Sequence, residues 1–134
     1  MTTPPFQFSN TVERAVLTMT VVCEARERAV CAVVEQIAIR AAAISGGATL
    51  QHVVGLWAAD AELNRDRYRG PFELTDGMRI EIAVLPGRLE ELYAALKTIT
   101  AEECARFELP AQWIHTDIDI NGRRIAAHFQ IGAD

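Results

Sequence analysis

Residues 47–84 read GATLQHVVGLWAADAELNRDRYRGPFELTDGMRIEIAV, and their reading decides the fold. Residues 48–57 are strand-like, with Gly55 near the end, and 78–85 form a second strand in which Met78, Ile80, Ile82 and Val84 alternate and face inward. Between them, Ala58 to Gly77 carry five acids (Asp60, Glu62, Asp66, Glu73, Asp76) and three arginines (Arg65, Arg67, Arg69). Loops of that length inside a compact domain are uncommon, and they are usually functional or disordered. The apolar residues Leu63, Tyr68, Phe72 and Leu74 lack a regular period. The segment is therefore expected to be an arm that orders on a partner. A long β-ribbon with a solvated charged face is the alternative. Trp57 at its base reads as a packing anchor.

The flanks give the order of elements. Ala15, Leu17, Met19 and Val21 alternate within 14–23, with Val16 and Val22 on the opposite face, as in a central strand. Residues 24–44 place Val30, Val33, Ile37 and Ile44 at helical spacing, and Ser45-Gly46-Gly47 ends that helix. After Pro86-Gly87, Leu89, Leu92, Leu96 and Ile99 mark a second helix from 88 to about 105, with Glu90 and Glu91 suiting its N-terminal dipole. Pro110 precedes a strand over 112–120. Asn121-Gly122 is a strong hairpin signal, so 123–131 folds back as another strand. The expected fold class is α+β: a ferredoxin-like βαββαβ sandwich with a long loop between strands two and three and an extra C-terminal strand. Residues 1–13 read as a flexible tail, and 14–131 as a single domain.

Composition narrows the function classes. The chain has 134 residues, half of them hydrophobic and 23% charged, which suits one folded domain. A net charge of −5 argues against general nucleic-acid binding. RNA-recognition domains share the βαββαβ order but need aromatic platforms, and MRIEIAVL and VLTMTV supply none. No apolar run is long enough to insert in a membrane, and MTTPPFQFSN lacks the pattern of a signal peptide. Cys23, Cys31 and Cys104 form no CxxC pair, which fits a cytoplasmic location with reduced thiols; a redox pairing of Cys23 with Cys31 is the alternative.

Three segments together resemble the PII signal-transduction superfamily. They are Gly47-Ala48-Thr49-Leu50 with Gly55 following, Tyr68-Arg69-Gly70, and Arg79-Ile80-Glu81-Ile82-Ala83-Val84. With the second helix the resemblance covers roughly 15–100. It implies a cytoplasmic, non-enzymatic homotrimer without a cofactor that binds a small anionic ligand, an adenine nucleotide, in inter-subunit clefts. It carries ligand binding onto Thr49, Gly55 and Ala83, with Arg123 or Arg124 for phosphate. It makes Arg67, Tyr68, Arg69 and Gly70 the tip of a T-loop that engages a membrane transporter or metabolic enzyme, with Tyr68 open to modification. The family's glycine- and lysine-rich phosphate loop is replaced by Thr100–Pro110, with no glycine and three acids, and its T-loop glutamine by Ala59. AMP or ADP is therefore expected over ATP. Read without the resemblance, Thr49 is a strand start, Gly55 a bulge and the two arginines solvated hairpin charges.

A second reading lies on the last hairpin. A two-residue turn at Asn121-Gly122 sets His115 opposite His128, with Asp117 and Asp119 and Arg124 on the same face and Ile114, Ile118, Ile120, Ile125 and Phe129 on the other. His115, Asp117 and His128 are then candidate ligands of one metal, as in a small metal-dependent enzyme or metal-binding protein. An ordinary polar face accounts for the same residues. His52 reads as a core or interface histidine.

Overall fold

The computed structural model describes residues 12–22, 27–59, 66–110 and 113–132. Residues 1–11 of the expected tail, Cys23, and Asp60, Glu62, Leu63 and Arg65 of the expected arm lie outside the described residues.

Alternation in the first strand, β1 (Ala15–Val22), sorts its side chains cleanly. Ala15, Leu17, Met19 and Val21 are fully buried, while Val16, Thr18, Thr20 and Val22 stay half-buried on the opposite face. The first helix, α1 (Glu27–Ser45), buries Val30, Val33, Val34, Ile37, Ala38 and Ala41, the i, i+3, i+4 stripe of an amphipathic helix. Gly46 ends it at φ 94°, donating its N–H to the Ala42 carbonyl at 2.7 Å, a left-handed cap that glycine adopts without a Cβ penalty. The second helix, α2 (Leu89–Arg106), follows a single 3-10 turn at Pro86–Arg88 and buries Leu92, Leu96, Ile99, Thr100, Glu103 and Cys104. One core cluster joins both helices to the Leu17–Met19 face of β1, so the opposite face of the sheet lies open. Thr100 Oγ1 contacts Met19 Sδ at 3.9 Å within that core. None of the described helices is long and apolar enough to cross a membrane.

Polar contacts fasten the helices together. Arg40 on α1 reaches Glu102 at 2.6 Å and the buried Glu103 at 3.3 Å on α2. Arg88 donates to the Ile44 carbonyl at the end of α1 and to both carboxylate oxygens of Glu91, each at 3.1 Å. Those hydrogen bonds from Arg88 hold the Glu91 carboxyl below its ordinary range.

The remaining strands are β2 (Thr49–Ala58), β3 (Phe72–Val84), β4 (Trp113–Ile120) and β5 (Arg123–Gln130). They form one five-stranded sheet in the order β2-β3-β1-β4-β5, with every pair antiparallel. The α+β class with five strands and two helices thus agrees with the sequence reading. Asn121 (φ 52°) and Gly122 (φ 77°) make the tight β4–β5 turn that the Asn-Gly pair demands.

The expected long loop between the second and third strands is corrected. β3 begins at Phe72, six residues before Met78, and pairs with β2 from Thr49↔Glu81 out to Ala58↔Phe72. Ala59 N–H then donates to the Pro71 carbonyl at 2.8 Å. Ala58, Ala59 and residues 71–77 of the presumed arm are therefore a paired ribbon running past the end of β1, whose last partner is Gly77. Pairing satisfies backbone groups that a loop would leave to water. The stretch in which a phosphate loop was sought, from Thr100, is still α2 as far as Arg106.

Candidate functional site

Strand register organises the open face into rows. One runs Thr49–Glu81–Thr18–Asp117–Ala126, and the next Gln51–Arg79–Thr20–His115–His128, each crossing all five strands. At the β2–β3 end, the first row opens into a cleft of about 320 Å³ lined by Arg14, Ser45, Gly46, Gly47, Ala48, Thr49, Glu81 and Ala83. That volume lies at the lower end of small-molecule sites. The floor is strand, with Glu81 and Ala83 two residues apart on one face of β3 and Thr49 directly opposite Glu81. The wall is the turn after α1. Ser45 Oγ donates to the Gly47 carbonyl at 2.8 Å, which folds that turn tightly over the start of β2.

The chemistry of this lining is zwitterionic. Arg14 offers a guanidinium fork suited to a carboxylate. Glu81 offers a carboxylate suited to a cation. Two hydroxyls and a glycine backbone complete the set.

Of the residues to which ligand binding was assigned, the structure brings Thr49 and Ala83 together in this cleft. Gly55 lies six residues further along β2, opposite Thr75. Arg124 lies on β5, the far edge strand, opposite Asp119 of β4, with β4 and β1 between it and β3. Arg123 alternates to the other face of β5. Neither arginine lines the cleft, and Arg14 is the guanidinium that does. Sequence reasoning passed over Arg14 and Glu81 because one is a charge just before a strand and the other an ordinary strand charge until the cleft gathers them. The available signal was Glu81 itself, an outward carboxylate between two buried isoleucines. Arg67, Tyr68 and Arg69 are exposed and Gly70 half-buried in the segment that enters the ribbon. His52 is an exposed residue of the edge strand and not a core one.

The hairpin register is as expected, with His115 opposite His128, but the metal site does not form. Among the described residues no group of three His, Cys, Asp or Glu side chains is placed to hold a metal ion. The two imidazoles, with centroids 6.1 Å apart, are packed against indoles instead of converging with Asp117. Trp57 stacks on His115 at 5.7 Å and 19°, and Trp113 meets His128 edge-on at 5.5 Å. Trp57 does anchor the ribbon, but by lying across the open face, 41% exposed.

No protein-family profile matches the chain, and no curated protein matches it in sequence. Solved structures do match its fold. A phage SAM lyase in complex with S-methyl-5'-thioadenosine superposes with a TM-score of 0.56 at 15% identity, over 92% of this chain and 96% of that one. A phage SAM lyase in the apo state gives a TM-score of 0.52 at 16% identity, over 90% and 91%. These neighbours overturn the PII resemblance and, with it, the non-enzymatic, nucleotide-sensing regulator with a signalling T-loop. The physical reason is visible in the fold. Arg79–Val84 is a central strand that any such sheet requires, and the loop's C-terminal part, from Phe72 to Gly77, is strand paired with β2.

Proposed function

We propose that this chain is an enzyme of the S-adenosylmethionine lyase type, and that the Arg14–Glu81 cleft takes the substrate. The observation that carries the reading is the near end-to-end match, in both directions, to a lyase holding S-methyl-5'-thioadenosine. In that thioether the sulfur keeps its methyl and adenosyl groups. The bond lost from S-adenosylmethionine is therefore the one to the amino-acid side chain. The sulfonium leaves as a neutral thioether, taking the electron pair of that carbon–sulfur bond. No water is consumed in a lyase step, so the substrate's own carboxylate oxygen supplies the replacement pair. It bonds to the carbon that the sulfur leaves and closes the amino-acid fragment into a lactone, with no proton released.

The cleft's residues have matching tasks. Arg14 holds the substrate carboxylate, Glu81 faces its cationic part, and the Gly46-Gly47 backbone and Thr49 line the approach. Moving positive charge out of the sulfonium weakens its attraction to Glu81. That carboxylate therefore works through ground-state placement and the timing of release, with little differential stabilisation of the transition state. We read the βαββαβ order, with β1 and β3 inside and both helices on one face, as a ferredoxin-like sandwich extended by β5. Cys31 is a free thiol, which supports a cytoplasmic setting.

The test is direct. Purified chain is incubated with S-adenosylmethionine, and S-methyl-5'-thioadenosine is followed by chromatography against a protein-free blank. The expected result is thioadenosine formed in step with substrate loss, with kcat/KM lowered at least about tenfold in Glu81→Gln and Arg14→Ala, the effect of one lost charged contact. No product above the blank, together with no heat on titrating S-methyl-5'-thioadenosine, overturns the proposal.

A further inference from the structure

We infer that the open face of the sheet carries a second binding site, a stacking platform for a neutral purine nucleoside, built on Trp57, Trp113, His115 and His128. Four rings stand in an unbroken series: Trp57–His115 at 5.7 Å, His115–His128 at 6.1 Å and His128–Trp113 at 5.5 Å. They come from three strands, β2, β4 and β5. Both indoles remain 41–48% exposed, and both histidines are exposed. A contiguous aromatic surface left in water marks an interaction site more often than an isolated exposed ring does. Indole and imidazole faces stack on any base, because every base has a π-face.

The platform is built by the backbone as well as by ring chemistry. A Cβ at Gly55 would lie 2.4 Å from Trp57 Nε1 and 2.8 Å from Cε2, so the indole occupies the space that any other residue at 55 would fill. Gly55 thereby lets Trp57 fold back from the ribbon onto His115.

Charge selects the ligand. Asp117 lies two residues from His115 on the same face, Glu73 sits opposite Trp57, and Asp119 is opposed by Arg124. Three carboxylates thus outnumber the two arginines of that face, Arg124 and Arg79. These carboxylates, in a chain of net charge −5, oppose phosphate. The row that continues from His115 through Thr20, Arg79 and Gln51 offers hydrogen-bonding groups to a base edge or a ribose. A nucleoside fits this surface, and the excess of carboxylates over arginines disfavours a nucleotide relative to it. The four rings contribute nothing to the cleft lining, although the two rows are neighbours: Gln51 and Arg79 stand two residues from Thr49 and Glu81. The inference stands whether or not the cleft cleaves S-adenosylmethionine.

The test follows the imidazole proton resonances of the intact chain while adenosine is added. There are three histidines, and His52 alternates to the other face of β2, so it serves as the internal reference. Saturable ring-current shifts of His115 and His128, with His52 unmoved, are expected. Trp57→Ala and Trp113→Ala should each weaken binding by about tenfold or more, as expected for loss of one stacking partner. Gly55→Ala, which keeps both indoles, should also weaken it, with far-UV circular dichroism confirming the fold. AMP should bind several-fold more weakly than adenosine. The inference is overturned if millimolar adenosine leaves both histidines unmoved, if the two tryptophan variants bind as wild type does, or if AMP binds as tightly as adenosine. Thioadenosine release is read separately, so a chain without lyase activity that still shifts His115 and His128 sinks the cleft proposal alone.

Discussion

Gly77→Ala tests how the ribbon leaves the sheet. Gly77 pairs with Val22 of β1 on one side and Val53 of β2 on the other, where β3 runs beyond the end of β1. A Cβ there would lie 2.4 Å from the Val21 carbonyl oxygen and 2.4 Å from Val22 Cγ1, whereas ordinary contact begins at 3.4 Å. The shortfall is about 1 Å at each atom. The Val22 methyl can turn aside, but the Val21 oxygen belongs to the strand and moves only if β1 and β3 separate. Overpacking of this kind costs about 1–3 kcal/mol. A ladder hydrogen bond opened with it adds about 0.5–1.5 kcal/mol. The stiffer unfolded chain of an alanine variant offsets about 0.4–1 kcal/mol. The net expectation is a loss of about 2 kcal/mol. In urea unfolding followed by far-UV circular dichroism, the midpoint should fall while the slope stays constant. Gly55→Ala is the built-in contrast, because its clashes are all with the Trp57 indole, a side chain free to rotate outward. It should cost under about 1 kcal/mol, the scale of one stacked pair. Equal losses in the two variants, or a Gly77→Ala variant within about 0.5 kcal/mol of wild type, would refute the distinction between backbone and side-chain clashes.

Three further outcomes are expected. Glu91 has its carboxyl pKa lowered by Arg88, so the pair's contribution is present above the unfolded carboxylate pKa and is lost as pH falls through the lower folded value; Glu91→Gln should flatten that acid limb of the stability–pH curve, as measured by thermal melts across acid pH. Glu108 adopts φ 54° just past α2, where its N–H donates to the Ala105 carbonyl, and Glu108→Gly should raise stability by about 0.5–1 kcal/mol in chemical denaturation. Leu96 is fully buried between α2 and the sheet, and Leu96→Ala should cost about 2–5 kcal/mol by the same measurement.

The elements legible in the sequence were those whose side chains divide between core and water. β1 alternates without a fault, α1 keeps one stripe from Val30 to Ala41, and Asn121-Gly122 admits few conformations other than the turn it makes. The outer ribbon obeys no such rule. Val54, Leu56, Phe72 and Leu74 fall on the helix-side face but beyond the helices, and they are 57–73% exposed. Asp76 interrupts the alternation of Phe72 and Leu74 with Met78, so six paired residues passed for loop. Candidate site residues were legible only where local sequence sufficed. Thr49 and Ala83 entered through a resemblance, whereas the Thr49↔Glu81 pairing that gives the cleft its carboxylate is a matter of register between strands. Trp57 reaching His115 across the open face depends on a ribbon path that no local pattern encodes.

The same registers bear on what ligand the cleft admits. A phosphate cradle needs backbone N–H groups freed from helix and unopposed positive charge. The place where one was sought is helical through Arg106, and its Glu103 is 4% exposed and tied to Arg40 on α1. That carboxylate holds two helices together and would repel any phosphate brought near it. The Arg14–Glu81 cleft pairs one guanidinium with one carboxylate, a balance that penalises a polyanion and suits a molecule carrying both signs. An S-adenosyl amino acid, with carboxylate, ammonium and sulfonium, carries both. Exchanging that balance should invert the preference. In Glu81→Gln the cleft keeps only its cation, so the affinity for ADP should rise relative to that for S-adenosylmethionine. Parallel calorimetric titrations of the two ligands measure the ratio, and an unchanged ratio would show that Glu81 does not read charge.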